Sequence, residues 1–308
     1  AMASALRPPP SRPSAPPRPP PPPIHKAALR EDVAAGVLTL AGWPARVRAW
    51  RDAGARGPPP VLVDPMAGSG GLAVEAALMA RGTAPGLLRL ESGIGFPFEG
   101  WPDFDARAFG ALVEEAEAAE APAQEMGPRV LANELREDAA RLLREGARKA
   151  GVECCLEATV GDVAVWDPPA LRSGKLGPPL AVTNPPWGQR LGEREGQAPP
   201  GGLEEAWFQL GKFLRERCGG GAAYVLSGDA HLPRKLFMKV GGRSPVTVGG
   251  VDARLLRYQL RDKEGKHAGA PAQPAFEAAP APEERSREGR RAEERARAGR
   301  RAGAVPRR

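Results

Sequence analysis

The chain lacks an apolar run approaching the ~18 residues of a membrane-spanning helix, so a soluble protein without a membrane partner is expected. Cysteine is scarce: Cys154, Cys155 and Cys218 form an odd set without metal-ligand spacing, and sequence neighbours rarely bridge one another. They are expected to be reduced and structural, in an intracellular setting, either cytoplasm or an organelle interior. His25, His231 and His267 share no ligand spacing, so surface or capping roles are expected and no metal. Two nucleotide-binding fingerprints are also missing. After Gly68 and Gly70 the third position of a dinucleotide loop is Ala73, and no Gly-Lys-Ser/Thr follows to make a P-loop.

A basic excess is missing where it would matter most. The net charge of +7 is carried by the ends: three arginines and no acid in residues 1–23, ten arginines against five glutamates in 283–308. Residues 24–282 therefore carry a net −1, and any nucleic-acid role must rest on the tails, a local patch or a further domain. Eleven of the 36 prolines fall within residues 1–23, which reads as a disordered segment or linker. That start has the Arg, Ser and missing acids of a transit peptide, but its prolines suit an amphipathic helix poorly. Residues 263–308, rich in Ala, Pro and Arg, read as a disordered basic tail. One domain remains, residues 24–262.

Strands alternate with helices along that domain. Helical spacing is predicted over Lys26–Trp43, Leu72–Arg81, Asp105–Glu120, Glu137–Ala150 and Leu203–Arg217. Strands are predicted at Pro60–Val63, Arg129–Ala132, Glu153–Val160, Leu180–Thr183 and Ala222–Ser227. Val246–Val248 and Arg254–Leu260 could close an antiparallel edge hairpin. Residues 83–104 read as irregular, within an insertion over about 83–122. The pattern implies an α/β fold with a mainly parallel sheet covered on both faces.

Two stretches carry chemistry. In VDPMAGSGGLAVEAA, Asp64 ends a buried strand, and Gly68, Ser69, Gly70 and Gly71 follow before a helix. Glycines there let the backbone approach a ligand closely. With dinucleotide and P-loop patterns excluded, DxxxGxG reads as a loop for S-adenosylmethionine. Asp64 would help hold the cofactor's amino-acid end, with Pro65, Ala67, Gly68, Ser69 and Gly70 lining its path. Glu134, at the end of the next strand, could accept from both ribose hydroxyls. Asp162, after the third strand, could accept from the adenine amine.

The second stretch is TNPPWGQRL, Thr183 to Leu191. Its prolines cannot donate ladder bonds, so the strand stops there. The Asn184 side-chain oxygen and the Pro185 carbonyl could each accept one N–H of a planar amine, aiming its lone pair at a sulfonium methyl. Pro185 and Pro186 would stiffen the acceptors, which limits the entropy lost on orienting the substrate. Trp187 would stack on a base. Asn184 would also border the cofactor. Adenine, cytosine and guanine amines, and a glutamine side-chain amide, all fit this pattern. Trp43, Trp101, Trp166 and Trp207 read as packing residues, and Arg190 as a phosphate contact or an exposed arginine.

DPMAGSGGLAVEAALMARGTAPGLLR, then GWPDFD, then TNPPWGQRL resemble the catalytic domain of the ribosomal RNA large-subunit methyltransferase K/L-like family, from Ile24 to Leu260. The resemblance implies a class I, Rossmann-like methyltransferase with a seven-stranded sheet, S-adenosylmethionine as cofactor, and methylation of the guanine N2 amine in RNA. Ribosomal RNA is favoured over transfer RNA. It assigns Asp64, Gly68 and Gly70 to the cofactor loop, Glu134 to the ribose, Asp162 to adenine, and Asn184, Pro185, Pro186 and Trp187 to the catalytic turn. Ala67 and Gly71 stand where the family usually has Cys and Thr, and Trp187 where it usually has Tyr. Arg136 replaces a common second acid. Family members generally carry an RNA-binding THUMP domain upstream, whereas here the proline tract precedes Ile24. A missing THUMP domain, the basic tail or a delivery partner is therefore expected to bring the RNA. These departures leave a catalytically inactive, cofactor-binding RNA-associated protein as the alternative.

Overall fold

The computed structural model describes residues 29–120, 127–188 and 201–262. The proline tract, the basic tail, Arg190, His25 and His267 lie outside the described residues. In chain order the elements begin with α1 (Glu31–Ala41) and α2 (Trp43–Asp52), then β1 (Val61–Asp64) and α3 (Gly71–Arg81). The insertion holds α4 (Pro85–Glu91), a 3-10 turn at Pro97–Gly100, and α5 (Ala106–Ala119). The next units are β2 (Arg129–Glu134), α6 (Glu137–Lys149), β3 (Leu156–Val160), α7 (Pro169–Arg172) and β4 (Leu180–Thr183). The chain then forms α8 (Gly202–Arg217), β5 (Ala222–Ser227), a 3-10 turn at Leu232–Leu236, β6 (Gly242–Val248) and β7 (Val251–Gln259).

The seven strands form one sheet in the order β3-β2-β1-β4-β5-β7-β6. All pairings are parallel except those of β7, which runs antiparallel to both β5 and β6. This is the mainly parallel sheet with an antiparallel closing hairpin that the sequence pattern implies. β1, β4 and β5 are buried throughout, because helices cover both faces and no residue of a central parallel strand meets water. Alternate side chains feed two cores. Leu62, Val130, Leu180 and Val182 pack with residues of α1, α2, α3 and α6, whereas Val63, Leu131, Ala181 and Val225 pack with residues of α8. Pro245 sits on the edge strand β6, where a missing N–H breaks no inner ladder.

Several expectations need correction. The third strand starts at Leu156 rather than Glu153, because residues 153–155 form a turn. Residues 83–104 are not wholly irregular: Pro85 opens α4, and the Phe-rich stretch makes a short helical turn closed by Glu99 accepting the Phe96 amide at 2.6 Å. Trp101 is not a core residue; it is 64% exposed and only edges onto Phe98. Cys154 is exposed, while Cys155 and Cys218 are buried.

Candidate active site

The sheet order has a topological switch between β1 and β4: the chain winds outward from β1 through β2 to β3, then returns to place β4 on β1's other side. Connections leave this point in opposite directions, opening a crevice at the strands' carboxyl ends. Both sequence-predicted stretches are there. Asp64 ends β1, TNPPW follows β4, and the two strands pair through Leu62 with Leu180 and Val63 with Ala181.

The loop after β1 is held by its neighbours. Pro65 is buried and its carbonyl accepts Asn133 Nδ2 at 3.3 Å; the Ala67 amide donates to the Asn133 carbonyl at 2.8 Å. The Gly68 amide donates to Glu134 Oε2 at 2.8 Å, and the Gly70 amide closes the turn onto the Ala67 carbonyl at 2.9 Å. Ser69 lies half-buried between these glycines. Gly68 and Gly70 have φ of +58° and +93°, left-handed values that a side chain resists. They differ in surroundings. A Cβ on Gly70 would meet Leu143 Cγ at 2.7 Å, whereas one on Gly68 would meet no atom of the described residues within 4 Å. Gly71 has its own cause: a Cβ there would press to 3.1 Å from the Leu29 carbonyl, so the segment before α1 occupies the room.

Asp64 is 1% exposed. Burial pushes its carboxyl up to about 7, with the Glu134 charge adding to the rise, while the Thr183 hydroxyl and the Met66 amide oppose it. Glu134 Oε1 accepts the Arg136 amide at 3.0 Å, and Arg136 itself turns away to pair with Asp138. Each Glu134 oxygen therefore has one described partner and a further lone pair. Asp162 is exposed just beyond β3, with Oδ1 accepting the Ala164 amide at 2.9 Å; the adjacent Gly161 amide donates to the Glu134 carbonyl at 3.0 Å.

In the turn after β4, Pro185 is buried, while Asn184, Pro186 and Trp187 are half-buried. Trp187 Nε1 donates to Asn184 Oδ1 at 2.9 Å, and Trp207 Nε1, from α8, donates to the Pro186 carbonyl at 2.8 Å. Trp207 does pack in the core, as the sequence suggests, but it also fixes this turn.

Sequence reasoning missed Asn133. This 1% exposed side chain donates to the Pro65 and Gly161 carbonyls, at 3.3 and 2.9 Å, and Thr159 Oγ1 lies 3.1 Å from its Oδ1. It joins the loops after β1 and β3. The sequence signal is an amide at Asn133, directly after the apolar run Val130–Ala132 and within the same strand. A separate cavity of roughly 420 Å³ opens at the amino ends of β2 and β3, lined by Arg129, Lys175, Glu153 and Glu157 among others, at the other end of those strands from Asn133 and Thr159.

The sequence matches the family model of the RMKL-like methyltransferase domain over residues 22–239. The chain belongs to that family. It is 34% identical over 256 residues to the ribosomal RNA large subunit methyltransferase K/L of Syntrophotalea carbinolica, covering 82% of this chain and 32% of that protein. The RMKL-like domain thus spans about a third of this relative's length. Among solved structures this chain is similar to SMU.472, a putative methyltransferase crystallised with S-adenosylhomocysteine (TM-score 0.59, 18% identity, covering 79% of this chain and 55% of that one). It is also similar to a predicted N6-adenine-specific DNA methylase from Listeria monocytogenes (TM-score 0.57, 21% identity, 76% of this chain and 52% of that one). At these identities the structural likeness establishes the fold: a class I methyltransferase α/β sheet.

Proposed function

We propose that this domain transfers a methyl group from S-adenosylmethionine to the exocyclic N2 amine of guanine in RNA, with large-subunit ribosomal RNA as the favoured substrate. The observation that carries the reading is the adjacency of the glycine loop after β1 and the NPPW turn after β4 at the switch point of the sheet. The relative from Syntrophotalea carbinolica, named for ribosomal RNA, supports the substrate class.

The residues present suit the cofactor. Beside Gly68 the described residues leave room for a ligand against the backbone, and Glu134 retains lone pairs for ribose hydroxyls. Asp64, once ionised, suits the cationic amino-acid end, and Asp162 the adenine amine. When bound, the cofactor supplies an activated sulfonium methyl. The chain's own work is to orient the acceptor: Asn184 Oδ1 and the Pro185 carbonyl take the two amine hydrogens, so the nitrogen lone pair faces the methyl carbon. The two prolines hold those acceptors in place before the substrate arrives.

Residues 83–120 carry eight acids against two arginines, a surface that repels phosphates. RNA delivery is therefore assigned to the basic tail, a partner, or an upstream THUMP-type domain, in an intracellular compartment. Mass spectrometry of nucleosides digested from ribosomal RNA after incubation with methyl-labelled cofactor tests the proposal. Label in N2-methylguanosine supports it; label confined to another base, or none in RNA, rejects it.

A further inference from the structure

We infer that Trp187 is a positioning residue, whose indole N–H fixes which face of the Asn184 amide meets the substrate. The inference rests on the amine-clamp reading of the turn. An asparagine amide sits in a broad, nearly two-fold torsional well, and its two ends have opposite hydrogen-bonding character. Rotated one way, Asn184 accepts from an incoming amine. Rotated the other way, it presents its own N–H groups and repels that amine.

The indole N–H is a donor only. It lies 2.9 Å from Asn184 Oδ1, so a flipped amide would set donor against donor. One lone pair of Oδ1 is spent on the indole and the other is left for the substrate. The indole is in turn seated from outside the turn. A Cβ on Gly228, in the loop after β5, would fall 1.9 Å from Trp187 Cζ3 and 2.2 Å from Cε3, so the benzo ring rests directly on that glycine. Trp207 fixes the intervening Pro186 carbonyl at 2.8 Å. The Asn184 amide is thus held through a chain of contacts from β5 and α8.

The contact also gives a physical reason for tryptophan at this position. Nε1 lies on the five-membered ring close to the backbone, within reach of a side chain three residues earlier. A tyrosine hydroxyl stands at the far end of its ring and cannot make the same bond.

Two variants separate positioning from stacking. Trp187→Phe keeps an aromatic face and removes the N–H; Gly228→Ala keeps the N–H and removes the seat. Each is expected to lower kcat about tenfold, the worth of one neutral hydrogen bond, while the RNA KM and cofactor affinity stay within about twofold. Circular dichroism and melting identify any variant that has not folded. A Trp187→Phe enzyme at wild-type kcat overturns the inference, since it retains stacking without the N–H.

A second readout needs no substrate. The six tryptophans give six indole N–H signals in a 1H–15N spectrum, and the one lost in Trp187→Phe is Trp187. It is expected to exchange slowly with solvent and to move in Asn184→Ala. A fast-exchanging signal that ignores Asn184→Ala overturns the contact. Wild-type protein that methylates no RNA while this signal behaves as expected would reject the functional reading and leave the contact standing.

Discussion

The Gly68 amide donates to Glu134 Oε2 at 2.8 Å across 66 residues of chain. An acid assigned to the ribose therefore also shapes the loop under the cofactor. Removing it should do two kinds of damage: Glu134→Ala loses the ligand contacts and releases the loop. We expect cofactor affinity to fall about 10- to 100-fold, the range for losing charged hydrogen bonds. Titration calorimetry with S-adenosylhomocysteine measures it, and an unchanged affinity removes Glu134 from the site.

The two left-handed glycines should fail differently. Gly68→Ala meets no atom of the described residues within 4 Å, so it should cost about 1 kcal/mol of stability from backbone strain yet obstruct the cofactor. Gly70→Ala adds a collision with Leu143 at 2.7 Å and should cost about 3 kcal/mol. Denaturant melts alongside binding titrations distinguish them; equal stability losses would contradict the assigned surroundings.

Asp64 makes binding and stability depend on pH in opposite directions. Its folded carboxyl titrates at about 7, against about 4 in an unfolded chain. The folded state therefore holds an extra proton between those values. The stability this contributes is complete below pH about 4 and is lost as pH rises to about 7. A cationic ligand end instead favours the ionised form, so cofactor affinity should climb with pH and level off above about 7, with proton release below it. Asp64→Asn should remove both slopes. A pH-independent wild-type affinity would show that Asp64 does not ionise on binding.

Much of this was legible in the chain because the main signals are local. A four-residue apolar strand followed by Gly68–Gly71, or by Asn184–Trp187, declares its turn from neighbours alone, and β4 and β5 fall on their predicted spans. Long-range contacts left little trace. Nothing in sequence links Trp207 to Pro186, 21 residues away, or Gly228 to Trp187. α4 was hidden by the Gly and Pro around it, although Pro85 at its first turn is where a proline fits a helix. The turn at residues 153–155 reads as strand because Cys154 and Cys155 run directly into Leu156 with no Gly or Pro to mark the boundary.

Asn133 is where this gap matters most for function. Its buried amide ties the Pro65 and Gly161 loops together, so Asn133→Ala leaves two carbonyls without that donor. We expect a loss of about 2 kcal/mol in stability and weaker cofactor binding without direct ligand contact. Thermal melting with and without S-adenosylhomocysteine checks this; a variant as stable as wild type contradicts the bridging role.

The central claim is that the turn after β4 orients an amine acceptor beside a separately built cofactor loop. Single-turnover methyl transfer by Asn184→Ala, measured with ribosomal RNA and saturating labelled cofactor, tests it most directly. The account predicts a loss of at least about 100-fold in transfer, comparable to removing a polar group that acts in the transition state, with cofactor affinity within about threefold of wild type. Transfer at the wild-type rate would contradict it.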